Sequence, residues 1–241
     1  MIPKLIMQTW KTLELPEKWK PSQLSIKKYM SSWDYKLMTD EDNREFISTH
    51  FPDFLETYDT FPHNIQRADA IRYAWLYMNG GLYIDCDFEL LGPLDELFDD
   101  DDELYFLASS NFSTIITNAF IAAKPGNPVF LEMIEEMKKR PLFSAIEKHL
   151  LVMYTTGPVA FNRVITRLNP KYKKLPNEKL NPYTLCDKVY NKPGTLLKPL
   201  EGSSWVSGFG HVWKLCYCNS IGIFVILLIL AFALMLLFYT N

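Results

Sequence analysis

The sequence predicts an α/β layered domain with a mostly parallel sheet, followed by one apolar C-terminal helix. Three observations carry this. Strand-like and helix-like segments alternate along the first two hundred residues. One long helical segment is stopped by Asn79-Gly80-Gly81 and runs at once into an apolar strand. Residues 221–239 (IGIFVILLILAFALMLLFY) carry no charge, which suits a membrane span.

The elements follow in order. Lys4–Thr9 (KLIMQT) reads as an opening strand led in by Pro3, and Asp34–Met38 as a second strand. Thr39 can cap a helix through Asp40–His50, whose first turn is acidic. Ile65, Ala68, Ile71, Trp75 and Met78 recur at helical spacing and predict an amphipathic helix over Asn64–Met78. Leu82–Asp87 then reads as a buried strand ending in acidic residues. Leu104–Ala108 and Ala119–Ala123 are further strands, and Pro128–Lys139 and Pro158–Leu168 further helices. No repeat or low-complexity tract interrupts this order.

The chain has 241 residues, 48% of them apolar and 22% charged, with a net charge of −3. That suits one globular domain with an appendage and argues against disorder. No basic block points to nucleic acid. The expected division is a catalytic-sized domain at 1–213, a juxtamembrane linker at 214–220 and a transmembrane helix at 221–239. As a helix the last segment would be roughly 28 Å long, about one hydrocarbon core. Lys214 lies on its N-terminal side, so the positive-inside bias predicts a cytosolic domain on a single-pass anchor. The start, Met-Ile-Pro-Lys, has no basic-then-apolar leader. Cys86, Cys186, Cys216 and Cys218 suggest neither a dense disulfide framework nor a zinc site, which agrees with a reducing setting. Cys216 and Cys218 sit where S-acylation can occur, with two unmodified cysteines as an equally good reading.

Asp85 and Asp87 are the most informative pair. Two residues apart on a strand, they would face one point, and ligands of open α/β sheets bind beyond strand C-termini. Two hard oxygen ligands there suit Mg²⁺ or Mn²⁺, with substrate phosphates completing the shell. Asp69 and Arg72, three apart, share a helix face with Arg67 nearby. They read either as a surface ion pair or as contacts to a sugar and its phosphates. The run Asp99–Glu103 reads as a solvated loop, and Tyr73, Trp75 and Tyr77 as helix packing.

IPKLIMQTW at 2–10 and RADAIRYAWLYMNGGLYIDCD at 67–87 resemble the DXD-containing sugar transferases of glycosyltransferase family 32. Yeast-type α-mannosyltransferases and mannosyl-inositol-phosphoceramide synthase subunits belong to that family. The likeness extends to Asn118–Ala123 with Pro125-Gly126, to Thr156-Gly157-Pro158 and to Ser204-Trp205. It implies a GT-A fold, a Mn²⁺ or Mg²⁺ ion on Asp85 and Asp87, and sugar transfer with retention. It implies that Gln8, Thr9 and Trp10 lie near the nucleotide and that Arg67, Asp69 and Arg72 face the donor's sugar and phosphates. Ser204 and Trp205 would close over the nucleotide. The implied donor is GDP-mannose or a UDP-sugar, and the implied acceptor a membrane lipid or glycan such as inositol phosphoceramide. Two positions depart from the family: Met7 and the stretch Pro199-Leu200-Glu201-Gly202 stand where histidines are frequent. A membrane-anchored protein that keeps the fold without catalysis is the competing reading, and a metal-dependent phosphohydrolase a third. The intact Asp85 and Asp87 favour the transferase over the first. The Arg-Ala-Asp and Gly-Gly context favours it over the second.

Overall fold

The computed structural model describes residues 1–98, 102–108, 115–139, 147–184, 186–187, 192–201, 214, 217–218 and 224. Its backbone is a six-stranded mixed sheet. β1 (Leu5–Thr9) lies beside β2 (Asp34–Met38) and β3 (Gly81–Ile84), both parallel to it. β6 (Ile116–Ala123) runs antiparallel to β3 and to β5 (Leu104–Ala108), and β7 (Lys173–Leu175) closes the far edge parallel to β5. A separate two-stranded ladder joins β4 (Phe88–Leu90) to β8 (Leu197–Pro199).

The pleat sends alternate residues to opposite faces, and both faces are covered. Ile6, Leu82, Ile84, Phe120 and Ala122 face one layer, with Ile26 and Met30 from α1 (Lys20–Tyr29) and its C-terminal boundary, and Leu180 from α8 (Asn177–Leu180). Met7, Tyr83, Ile121 and Ala123 face the other. That second layer holds α2 (Asp40–His50), α3 (Pro52–Asp59), α4 (Asn64–Asn79), α5 (Pro128–Lys138) and α7 (Pro158–Leu168). Met7 has no exposed surface, so this departure from the family falls in the core.

Local signals explain the helix ends. Thr39 and Asp42 form a reciprocal capping box at the start of α2. Asn127 caps α5 through Val129 N–H, and Glu147 caps α6 (Lys148–Thr155). The expected helix over Asn64–Met78 is α4, but it is not amphipathic. Every residue from Asp69 to Leu76 is buried. The reason is tertiary: α4 lies on the sheet and also contacts α2, α5 and α6.

Gly80 and Gly81 have φ of +64° and +91°. A Cβ on Gly81 would lie 2.4 Å from the Leu5 carbonyl oxygen of the neighbouring strand. Only glycine accepts both conditions. Gly81→Ala is expected to cost at least about 3 kcal/mol, from the clash and the left-handed backbone together. Thermal unfolding checks it, and an unchanged melting temperature would contradict this account.

The apolar strand predicted over Leu82–Asp87 ends earlier, at Ile84, so Asp85 to Asp87 occupy a turn between β3 and β4. Cys186 and Cys218 form a disulfide. That corrects two expectations: Cys218 is not a free thiol for acylation, and a disulfide belongs to an oxidising compartment rather than a reducing one. Cys86 is free and buried, and Cys216 lies outside the described residues. Apart from Phe224, so does the apolar run 221–239. Among the described residues no helix is long and apolar enough to cross a membrane. Of the acidic run, Asp102 and Glu103 pair with Lys171 and Lys124, and residues 99–101 lie outside the described residues.

Candidate active site

The site is built where β3 ends. Asp85 N–H donates to the Ala119 carbonyl at 2.9 Å, prolonging the ladder with β6 by one bond. The chain then turns, so a turn and not the pleat brings Asp85 and Asp87 close. β4 carries the chain away and pairs with β8. Leu200 N–H then donates to the Asp87 carbonyl at 2.7 Å, so a segment more than a hundred residues away holds the turn.

Behind the turn lies a buried polar network. Arg72 Nη2 is 2.8 Å from Asp69 Oδ1, and Arg72 Nη1 is 3.3 Å from Asp85 Oδ1. The Arg72 and Asp69 side chains are 3% and 4% exposed. The ion pair expected on the surface is therefore interior. Arg72 also donates to the carbonyls of Asn118 at 2.7 Å and Ala68 at 3.3 Å. Its guanidinium lies 4.4 Å from the centre of the Tyr83 ring. Asp69 accepts from Asn118 Nδ2 at 3.0 Å and Thr156 Oγ1 at 2.8 Å. Tyr83 O–H donates to Asp85 Oδ1 at 2.6 Å. Tyr73 O–H donates to the Thr156 carbonyl and accepts from Asn118. Buried charges persist only when satisfied this fully.

The electrostatics follow. Burial pushes the Asp69 carboxyl up, against the pull of Arg72 and the Thr156 hydrogen bond. Asp87 keeps part of its surface open, yet protein atoms crowd it. Desolvation first, then the Asp85 charge, push its carboxyl up to about 8. Two carboxylates held so close resist ionising together. A divalent cation removes that conflict, so the donor set fits Mg²⁺ or Mn²⁺. Among the described residues no third His, Cys, Asp or Glu joins them, which suits a cation completed by phosphates and water.

The remaining predicted residues divide. Gln8 has no exposed surface. Its Nε2 donates to Ser22 Oγ at 2.9 Å and to the Asp85 carbonyl at 3.2 Å, and its Oε1 accepts from Tyr35 O–H at 2.9 Å. It therefore clamps β1 to the turn from beneath. Thr9 and Trp10 line a cavity of about 390 Å³ beyond the end of β1, together with Asp40, His63, Asn64 and Lys148. Trp10 stands edge-on to Trp19, with centroids 4.7 Å apart. Trp19 Nε1 donates to the Glu201 carbonyl at 3.0 Å. Leu200 packs with Trp19, Leu37 and Cys86. Arg67 donates to Asn64 Oδ1 and to the carbonyls of Asp59 and Phe61, so it braces the α3–α4 connection. Ser204 and Trp205 lie outside the described residues. Asn118, Thr156 and Tyr83 were not singled out individually, although all three fall in the stretches that resemble the family. Asp40, His63 and Lys148 gave no signal, because only the tertiary fold assembles them.

Known proteins agree with this geometry. The family described as the glycosyltransferase sugar-binding region containing the DXD motif matches residues 16–104. Inositol phosphoceramide mannosyltransferase 3 of Schizosaccharomyces pombe is 37% identical over 210 residues, covering 85% of this chain and 56% of that protein. The mannosyl phosphorylinositol ceramide synthase SUR1 of Saccharomyces cerevisiae is 32% identical over 209 residues, covering 85% and 52%. The chain spans about half the length of these curated relatives. Among solved structures, the PaToxG glycosyltransferase superposes with a TM-score of 0.52 at 18% identity, covering 69% of this chain and 70% of that one. That likeness concerns the fold alone, and the fold is that of the GT-A glycosyltransferases. With the motif, the relatives and the fold in agreement, the chain belongs to the DXD-motif sugar transferases of glycosyltransferase family 32.

Proposed function

We propose that the chain transfers a sugar, mannose foremost, from a nucleotide-sugar to a membrane-associated acceptor such as inositol phosphoceramide, with retention. The observation that carries this is the Asp85–Asp87 turn at the end of β3, backed by Arg72 and Asp69 and adjoining a GT-A sheet. The names of the relatives support the sugar and the acceptor.

In this reading Asp85 and Asp87 hold Mn²⁺ or Mg²⁺. The ion supplies Lewis-acid neutralisation of charge on the departing diphosphate. Arg72 fixes the orientation of Asp85, and Asp69 fixes Arg72. Most of their hydrogen-bonding capacity is used inside the protein, so they act first by positioning, and contact with the sugar falls to whatever capacity remains. Gln8 sets the height of the Asp85 backbone. Thr9 and Trp10 form one wall of the nucleoside site, with Arg67 bracing its α4 side. Asp69 and Asp85 are already held by Arg72, and in this reading Asp87 is taken by the cation, so none of these three is free to act as a nucleophile, which favours same-face attack guided by the leaving phosphate.

Residues 221–239 anchor the domain beside its acceptor. The Cys186–Cys218 bridge supports an oxidising rather than a cytosolic setting for the domain. The deciding experiment is donor hydrolysis across GDP- and UDP-sugars with Mn²⁺, followed by transfer to inositol phosphoceramide in vesicles. Turnover of at least one donor, lost on chelation, is expected. No turnover of any donor would leave a binding protein of the same fold.

A further inference from the structure

We infer that Asp40, with Asn43 behind it, reads the base of the nucleotide donor and selects guanine over uracil. This rests on the donor-site reading above and adds a specificity residue to it.

The cavity at the end of β1 has a polar side of unusual composition. Asp40 lines it from the first turn of α2. Among the described residues, its carboxylate accepts no hydrogen bond and forms no ion pair, and Lys11 and Arg67 act on it only at longer range. Asn43 is one helical turn further on, on the same face. It is 1% exposed, and its Nδ2 donates to Thr9 Oγ1 at 2.7 Å. Thr9 Oγ1 spends its own hydrogen on the Met38 carbonyl at 3.1 Å. It can therefore only accept from Asn43, which fixes the amide with its nitrogen toward Thr9. Asn43 Oδ1 is left buried without a partner. Leaving a buried acceptor unsatisfied is costly.

Asp40 is exposed at the cavity wall and Asn43 is buried behind it on the same helix face. A carboxylate that no protein group occupies, standing open on the wall of the cavity, suits a ligand that presents several N–H groups along one edge. Guanine presents N1–H and the 2-amino group side by side, which a carboxylate can accept as a fork. Uracil presents a single N–H between two carbonyl oxygens, and those oxygens would face the carboxylate. Lys11, in the same wall, supplies a donor for the guanine O6. The indole of Trp10, held by Trp19, offers a ring against which the base can pack.

Calorimetric titration of the full chain with GDP, inosine diphosphate and UDP, in Mn²⁺, tests this. The wild type is expected to bind GDP at least tenfold more tightly than UDP, with inosine diphosphate between them because it lacks the 2-amino group. Asp40→Asn should weaken GDP binding roughly 10- to 100-fold, the range of one bidentate base contact. It should leave UDP nearly unchanged and erase the gap between GDP and inosine diphosphate. Asp40→Ser, which also removes the carboxylate and leaves the Thr39 cap in place, should do the same and serves if the asparagine variant misfolds. Equal binding of GDP and UDP by the wild type, or an undiminished GDP preference in both variants, overturns the inference while the donor site stands. Failure of the wild type to bind any of the three nucleotides removes the donor site itself, and the inference with it.

Discussion

Asp87→Asn and Asp85→Asn are each expected to lower Mn²⁺-dependent donor turnover roughly a thousandfold, because each removes one of two charges that hold the cation. An effect of several kcal/mol on the transition state corresponds to that factor. The Asp87 variant carries a second, opposite expectation. In the absence of metal its carboxylate is disfavoured by burial and by Asp85. A group whose folded-state pKa is raised costs the folded state stability as pH climbs from the ordinary carboxylate range toward about 8. Neutral asparagine abolishes that cost, so the metal-free variant should melt above the metal-free wild type at pH 7. It should lose most of that advantage at pH 4, where the carboxyl of the unfolded chain also begins to bind its proton and the difference between the two states closes. Calorimetry at both pH values, beside donor turnover, checks the pair of outcomes. A variant that melts lower at pH 7, or turns over donor at the wild-type rate, would refute the assignment.

Arg72→Ala should be the most destabilising single change at the site. The guanidinium is the sole cation paired with Asp69 and Asp85 among the described residues. Deleting it leaves Asp69 buried with a charge and no counter-ion. Breaking a buried pair from one side costs about 3–5 kcal/mol, so the melting temperature should fall steeply and activity should vanish. Arg44→Ala breaks the exposed pair with Asp59 and should leave melting almost unchanged. Arg72→Lys keeps the charge but loses the fork and should retain part of the stability with little turnover. A small melting shift for Arg72→Ala would mean that the pair is open to water, as its i,i+3 spacing alone suggests.

That contrast marks how far sequence carries. The Thr39 cap of α2, the Gly80-Gly81 stop and the apolar strands β3, β5 and β6 are local, and each was legible in the residues. α1 was not, because its buried positions include Ser22 and Ser25, which carry no hydrophobic period. Strands of three residues, such as β4, β7 and β8, are too short for a period of two to register. At the site, Asp85 and Asp87 stood out by spacing, although a turn brings them together and not the pleat. The burial of Asp69 and Arg72 was illegible for a physical reason: helical spacing gives the angle of a side chain about its axis but not what covers that face. Here Asn118 from β6 and Thr156 beyond α6 cover it. The cavity wall drew on β1, α2, α4 and α6, elements distant in sequence.

The bond from Leu200 N–H to the Asp87 carbonyl has a consequence for how the protein comes into being. Synthesis proceeds from the N-terminus at roughly 5–20 residues per second, and domains fold as their chain emerges. Once β6 is available, the sheet around β3 can close with the first 123 residues. The turn bearing Asp87 then waits for β8, nearly eighty residues later, before it receives its last tether. A nascent or prematurely terminated chain would thus own a folded sheet and a loose site. The local order of the Asp87 turn thus arrives after the sheet around β3 has closed, and only once β8 has been made.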